Sequence, residues 1–372
     1  MRDLLVTAHT PALGSGHGIR TYAIARALAR HRDVDLLYVR FGAAAPDRAF
    51  QAIAGVQFHP VESGRGLGRA LAYLRARAGG VPPDLARGIS SELIQKATLL
   101  SERPDRGRIV ADGPTIAAAL SRLAGRRPVI YSASNLESGF RHDLSRAAAL
   151  RAGRLRSFER RLLERMTESW MVSSADMEAA LELCPGAALR YVPNVVDVAA
   201  IAPVGASEDP NLLFIGSLFY KPNLNGLRFL LADVMPLVWR RLPEATLTVA
   251  GTGLKRPISE DERVRTLGYV ESLAEVYAGA RAVVVPLLQG GGTPLKLIEA
   301  LAFELPVVAT PRAVRGLEVC AGVHCEVAEG ATDFAQAILR VMSSDATDMA
   351  RRGRALAAEK YSIEVLERIL AP

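Results

Sequence analysis

Short runs of Val, Ile, Leu and Ala alternate along this chain with longer segments whose apolar residues recur at helical spacing, and few architectures satisfy that alternation. "DLLVTAHTP" reads as a strand, "GIRTYAIARALARH" as a helix and "VDLLYVRFG" as a second strand. Later come "RIVADGP", the helical "TIAAALSRLAG" and the strand "PVIYSAS". An arginine-rich helix from about Arg141 to Met166 precedes the strand "ESWMVSS" and the helix "ADMEAALELC". A strand, a helix and another strand in repetition build a parallel sheet covered by helices, so the class is α/β.

The segment "YVPNVVDVAAIAPVGASEDP" interrupts the rhythm with Pro193, Pro203, Gly205 and Pro210. At 372 residues the chain is too long for a single growing core, so we expect two doubly wound domains, 1–193 and 194–372, with the last helix returning to the first. The second half repeats the alternation through "LLFIGSL", "NLNGLRFLLADVMPLVWRRL", "ATLTVAG", "RTLGYV", "SLAEVYAGA", "AVVVPLL" and "PVVAT", then ends in helices. In sheets of this kind a ligand is expected at the carboxyl ends of the strands and between the domains.

Composition excludes several classes. No apolar run reaches transmembrane length, and "MRDLLVTAH" enters a strand pattern at once, so the expectation is a cytoplasmic protein. Three cysteines are too few for a disulfide framework, and "CAGVHCE" has nothing nearby to complete a four-ligand metal site. The net charge of +7 comes from 41 Arg and only five Lys, a bias that does not read as a nucleic-acid tether. Its distribution is uneven: residues 1–193 hold 28 basic and 18 acidic side chains, whereas 194–372 hold 18 and 21.

One stretch concentrates chemistry. "GGGTPLKLIEALAFELPVVATP", Gly290 to Pro311, carries three glycines directly ahead of an amphipathic helix with Lys296 in its first turn. A cation there opposes the helix dipole, and it makes sense where an anion arrives: glycines leave backbone N–H groups uncovered, and these with a helix N-terminus form an anion site. Glu299, one turn on, suits sugar hydroxyls. A glycine-rich turn followed by a solvated Lys–Glu pair explains the same spacing.

The order "LLFIGSLFYKPNLNGLRFL", "MPLVWRRLPEATLTVAGTG", "LGYV", "VYAGARAVVVPLLQGGGTPLKLIEALAFELPVVATPRAVRGLE" resembles glycosyltransferase group 1, also called family 4, whose members have the GT-B fold of two Rossmann-like domains facing across a cleft and transfer sugars with retention. It is most similar to the subgroup written around G-x-G-T-[RP]-L-K-x-x-E-A. The resemblance covers 194–372 nearly end to end. It implies that Glu299 binds the nucleotide ribose, that Gly292, Thr293, Pro294 and Leu295 fall in the loop whose backbone N–H groups face the diphosphate, with Gly291 beside them on the donor side, and that backbone groups at Tyr269 and Val270 of "LGYV" contact the base. Ser217 and Lys221 stand near two basic positions of the family. The family's first paired glutamate falls at Gly291, which marks a variant site.

In the first half, "ALGSGHGIRTYAIARAL" holds G-x-G-x-G before a helix, but its third glycine comes too early for a dinucleotide fingerprint. The resemblance makes Gly16 and Arg20 donor-facing candidates; Arg20 as a solvated helix residue is the other reading. "YSASNLESGFRHD" follows a strand, so Asn135 and Glu137 belong at its carboxyl end near the acceptor, with His142, His9 and Asp112 as further polar candidates. The helix "RHDLSRAAALRAGRLRSFERRLLERM" holds eight Arg against three acids, a pattern for an anionic membrane or for a solvated face with Arg–Glu pairs.

The expectation is a transferase moving a sugar from a nucleoside-diphosphate sugar, a co-substrate rather than a bound cofactor, to a hydroxyl of a glycan, lipid-linked or small-molecule acceptor. Lys296, Glu299 and Asn135 carry the chemistry, with peripheral contact to a membrane surface and neither nucleic acid nor metal involved, since no D-x-D motif of the metal-dependent transferase type stands out. A non-catalytic nucleotide-sugar binding protein, a nucleotide-sugar epimerase of the same fold and a nicotinamide oxidoreductase remain alternatives.

Overall fold

A computed structural model describes residues 1–62, 67–136, 146–254 and 257–372. The chain divides into two compact units, one of Met1–Pro193 with Leu366–Pro372, the other of Asn194–Val365.

The first unit contains β1 (Arg2–Thr7), α1 (Gly16–Ala29), β2 (Asp33–Arg40), α2 (Arg48–Gln51), β3 (Val56–Glu62), α3 (Leu67–Ala78), α4 (Pro83–Ala86) and α5 (Ser91–Ser101). It continues with β4 (Arg106–Asp112), α6 (Pro114–Leu120), β5 (Val129–Ser132), α7 (Arg146–Arg165), β6 (Glu168–Met171), α8 (Ser174–Leu183) and β7 (Leu189–Tyr191). Its seven strands are parallel in the order β3-β2-β1-β4-β5-β6-β7. Central strands are apolar on both faces because helices cover both: Leu4, Val6, Leu37, Ile109 and Tyr131 lie in one buried cluster with Phe158 and Leu162 of α7.

Registry aligns Thr7 with Asp112 and Asp112 with Ser132, so three polar side chains end adjacent strands at the same edge. The segment Leu366–Pro372 is tied to this unit. Arg108 donates to the Leu370 carbonyl at 2.6 Å, Arg190 to that of Ile369 at 3.3 Å, and Leu366 and Leu370 are buried.

The second unit contains β8 (Asn211–Ile215), α9 (Lys221–Phe229), a π-helical segment Leu230–Val234, α10 (Met235–Trp239), β9 (Thr246–Ala250), β10 (Val264–Gly268), α11 (Leu273–Ala278) and β11 (Ala282–Val285). Then follow α12 (Leu295–Ala302), β12 (Val307–Ala309), α13 (Pro311–Val314), β13 (Glu326–Val327), α14 (Gly330–Ser343), α15 (Thr347–Lys360) and α16 (Ile363–Ile369), whose last residues belong to the first unit. The strand order is β10-β9-β8-β11-β12-β13, all parallel. Order reverses between β8 and β11, and such a switch leaves the carboxyl ends of these two strands free of crossing connections.

Candidate functional site

The second unit gathers its polar groups at that switch. β11 ends at Val285, and the chain turns through Gly290 and Gly292, whose φ values of 117° and 68° lie in the left-handed region. An added Cβ at Gly290 would stand 3.1 Å from the Tyr220 hydroxyl and 3.3 Å from Pro222, so this loop packs directly on the start of α9. Asn194 secures the loop's far end, its Nδ2 lying 3.1 Å from the Thr293 carbonyl and 3.0 Å from Thr293 Oγ1. Arg312 donates to the Gly290 carbonyl from the other side. Pro294 caps α12 without a side-chain hydrogen bond, and in the first turn the Leu297 N–H turns back to the Pro294 carbonyl at 3.0 Å.

Lys296 and Glu299 project from the first turn and a half of α12. Both retain some exposed surface, yet their charged ends are surrounded by protein. Burial lowers the Lys296 ammonium to about 7, against the pull of Glu299, and raises the Glu299 carboxyl to about 7, against the pull of Lys296. Lys296 Nζ donates to Asn223 Oδ1 at 2.6 Å and sits 5.2 Å from the centre of the Phe214 ring. Tyr277, stacked on Phe303 at 4.2 Å, is fully buried; its hydroxyl lacks a hydrogen-bond partner among the described residues. Burial and the Glu299 charge push its ionisation well up.

The first unit has a polar cluster of its own. Asp112 ends β4 at 1% exposure; its Oδ2 accepts from Thr21 Oγ1 at 2.5 Å and faces His17 Nε2 at 3.3 Å. Thr7 Oγ1 lies 3.4 Å from the same nitrogen, and the His9 ring meets the His17 ring edge-on at 5.3 Å. Burial lowers the His9 ionisation, and His17 lowers it further. Asp112 Oδ1, Ser132 Oγ and Ser134 Oγ are buried without partners among the described residues. Asn135 follows them, half-buried.

Residues 209–344 match the profile of the family described as Glycosyl transferases group 1. The second unit belongs to the group 1 glycosyl transferases. An uncharacterized 44.6 kDa protein from the cps region of Klebsiella pneumoniae is 31% identical over 141 residues, 35% of this chain, and the match spans only 36% of that relative's length. Among solved structures, sucrose-phosphate synthase from Thermosynechococcus elongatus superposes with a TM-score of 0.76 at 17% identity, covering 99% of this chain and 96% of that one. Anabaena HepE, solved with UDP and glucose, gives 0.68 at 14% identity, covering 99% and 97%. The fold is GT-B, built from two Rossmann-like domains.

Gly291, Gly292, Thr293, Pro294, Leu295, Lys296 and Glu299 form one continuous loop and helix start. Ser217 joins them through its carbonyl, which accepts from Asn223 Nδ2 at 2.8 Å. Lys221 opens α9 as an exposed side chain, and Tyr269 is 72% exposed beside half-buried Val270.

In the first unit Gly16 is exposed at the start of α1, and Arg20 is not a solvated helix residue. At 2% exposure it donates Nη1 to the carbonyls of Val192 and Pro193 at 3.1 and 3.4 Å, and burial lowers it to about 10 even beside Asp112 and Asp176. Gly18 serves packing, since a Cβ there would stand 1.7 Å from the Ala12 carbonyl oxygen. Glu137 and His142 lie outside the described residues.

Asn223, Asn194, Tyr277 and His17 were not among the sequence candidates. The "PN" after "FYK" and the "PN" of "YVPNVVD" are the only local hints of the two asparagines, since their partners lie 73 and 99 residues away. Among the described residues no group of three or more His, Cys, Asp or Glu is placed to hold a metal ion, and none of the helices is long and apolar enough to cross a membrane.

Proposed function

We propose that this chain transfers a sugar from a nucleoside-diphosphate sugar to an acceptor hydroxyl, with the donor held by the second unit. The observation that carries the reading is the convergence of a left-handed glycine loop, a helix start without a side-chain cap, a cation with no carboxylate within ion-pair reach among the described residues, and Glu299 at the carboxyl ends of β8 and β11. The loop from Gly291 to Leu295 offers the N–H groups of its non-proline residues to the diphosphate, Lys296 offers charge, and Glu299 accepts from the ribose hydroxyls. Ser217, Lys221 and the backbone at Tyr269 and Val270 complete the donor side, and Gly16 of the first unit is assigned to the donor as well.

Cleavage of the anomeric C–O bond leaves negative charge on the departing diphosphate. The loop N–H groups and the Lys296 ammonium act most at that stage, because they meet a charge larger than in the bound donor. In a retaining reaction the leaving phosphate oxygen takes the acceptor's proton on the same face of the sugar. Asp112 and Asn135, with Glu137 and His142, orient the acceptor; Asp112 Oδ1, Ser132 Oγ and Ser134 Oγ, without partners among the described residues, supply hydrogen-bonding capacity for a polyhydroxylated molecule. Peripheral contact with an anionic membrane belongs to the same proposal: Arg154, Arg156, Arg160 and Arg165 of α7 are exposed, as are Leu71 and Leu74 of α3.

Thermal unfolding of the wild type and of Lys296→Ala with UDP, GDP, ADP, dTDP and NAD tests the donor reading. A nucleoside diphosphate at a hundred times its Kd adds ~2.7 kcal/mol to the wild type, and less to the variant. Stabilisation by NAD alone, or by none of the five, would overturn it.

A further inference from the structure

We infer that Asn223 is the positioning residue of the diphosphate subsite: it holds the Lys296 ammonium beside the glycine loop while leaving that ammonium's charge unneutralised. The assignment rests on the donor reading above and adds to it a residue that neither the loop nor the α12 helix supplies.

Asn223 is 6% exposed and is the third residue of α9. Its two amide atoms have unambiguous partners. The Ser217 carbonyl can only accept, so it takes the NH2 end at 2.8 Å, and the ammonium can only donate, so it takes Oδ1 at 2.6 Å. The side chain is thereby locked, and it turns its one strong acceptor toward Lys296. An ammonium has three N–H donors. Among the described residues Lys296 spends one of them, on Asn223, and two are left for phosphate oxygens.

A neutral partner matters here. A carboxylate in this place would hold the lysine as firmly but would cancel its charge and repel the diphosphate. Gly216 completes the arrangement by omission: a Cβ on it would stand 2.5 Å from Lys296 Nζ and 2.8 Å from Asn223 Nδ2, where the chain has φ 149°. The charged and titratable groups turned toward this ammonium are Glu299 of α12 and, behind it, Tyr277 of α11. Because burial lowers Lys296 to about 7, an arriving diphosphate also draws a proton onto it.

The test compares affinities for two probes, measured by calorimetry: the nucleoside diphosphate among UDP, GDP, ADP and dTDP that binds the wild type, and its own nucleoside. Asn223→Ala is expected to weaken the diphosphate ~10-fold while leaving the nucleoside unchanged, which also reports that the variant is folded. Asn223→Asp, nearly identical in shape, is expected to weaken the diphosphate ~100-fold, since it replaces a neutral acceptor by a competing anion. In a Lys296→Ala background, Asn223→Ala is expected to have no further effect on the diphosphate. Equal losses for nucleoside and diphosphate, an unchanged diphosphate affinity, or Asn223→Asp binding as well as wild type would each overturn the assignment and leave the donor reading standing. Failure of all four diphosphates to bind the wild type would remove both.

Discussion

Glu299 lies one helical turn beyond Lys296 on α12, and burial moves their two ionisations toward one another, the ammonium down and the carboxyl up, each to about 7. Between pH 7 and the ordinary lysine value of 10.5 the unfolded lysine holds a proton that the folded one has released, so stability rises with pH. Between the ordinary glutamate value of 4.5 and 7 the folded carboxyl keeps a proton that the unfolded one has lost, so stability falls as pH rises. Urea unfolding from about pH 5 to pH 9 should therefore show a shallow stability minimum near neutrality, flattened in Lys296→Met/Glu299→Gln. A profile identical in the double variant would contradict this account.

Asn194→Ala removes both hydrogen bonds to Thr293 and frees one end of the glycine loop. Loss of a buried pair of this kind costs ~1–3 kcal/mol. Denaturant unfolding should register that loss, and nucleoside diphosphate affinity should fall with it because the loop N–H groups are no longer held in place.

Gly18→Ala places a methyl group 1.7 Å from the Ala12 carbonyl oxygen, a backbone atom that moves only with its loop. Overpacking costs ~1–3 kcal/mol, so the variant should melt lower than wild type, whereas Gly14→Ala, with nothing within 4 Å, should not.

Asp35 is fully buried and meets Arg106 at 2.7 Å, His59 at 2.9 Å, Arg103 at 3.1 Å and Arg2 at 3.4 Å. Burial alone would raise its carboxyl; the bonds from Arg106 and His59 outweigh that and hold it below the ordinary 3.8. Asp35→Ala strands the buried Arg106 and should cost ~3–5 kcal/mol. The stabilisation is present above 3.8 and is lost as pH falls through the lower folded value, so the gap in stability between wild type and Asp35→Asn should close on acidification.

Charge reversal at Arg154 and Arg161 should abolish sedimentation with phosphatidylglycerol vesicles and leave the weak sedimentation with phosphatidylcholine unchanged. Unchanged binding to the anionic vesicles would remove the membrane contact.

Strands such as "AVVVPLL" and "LLFIGSL" were legible because burial on both faces demands unbroken apolar runs. β3 was not: "VQFHPVE" is an edge strand with His59, Pro60 and Glu62, and edges tolerate such residues. The stretch from Asn223 to Leu242 reads as one helix, yet it contains the π segment Leu230–Val234. Pro236 follows it directly; without an N–H and with a ring directed at the Ala232 carbonyl, it forces the preceding turn to widen. Lys296 and Glu299 stood out because a helix start has strong charge preferences. The residues that hold that loop and lysine, Asn194 and Asn223, carry no local signal, since only the folded sheet brings them near.

The first unit is closed by Leu366–Pro372, residues that follow the entire second unit in the chain. On the ribosome, Arg108 and Arg190 therefore lack their carbonyl acceptors until translation has passed residue 370. The second unit ends at Val365, only a few residues earlier, so both units close late in synthesis, and a chain cut before Leu366 should leave the first unit the more protease-sensitive of the two.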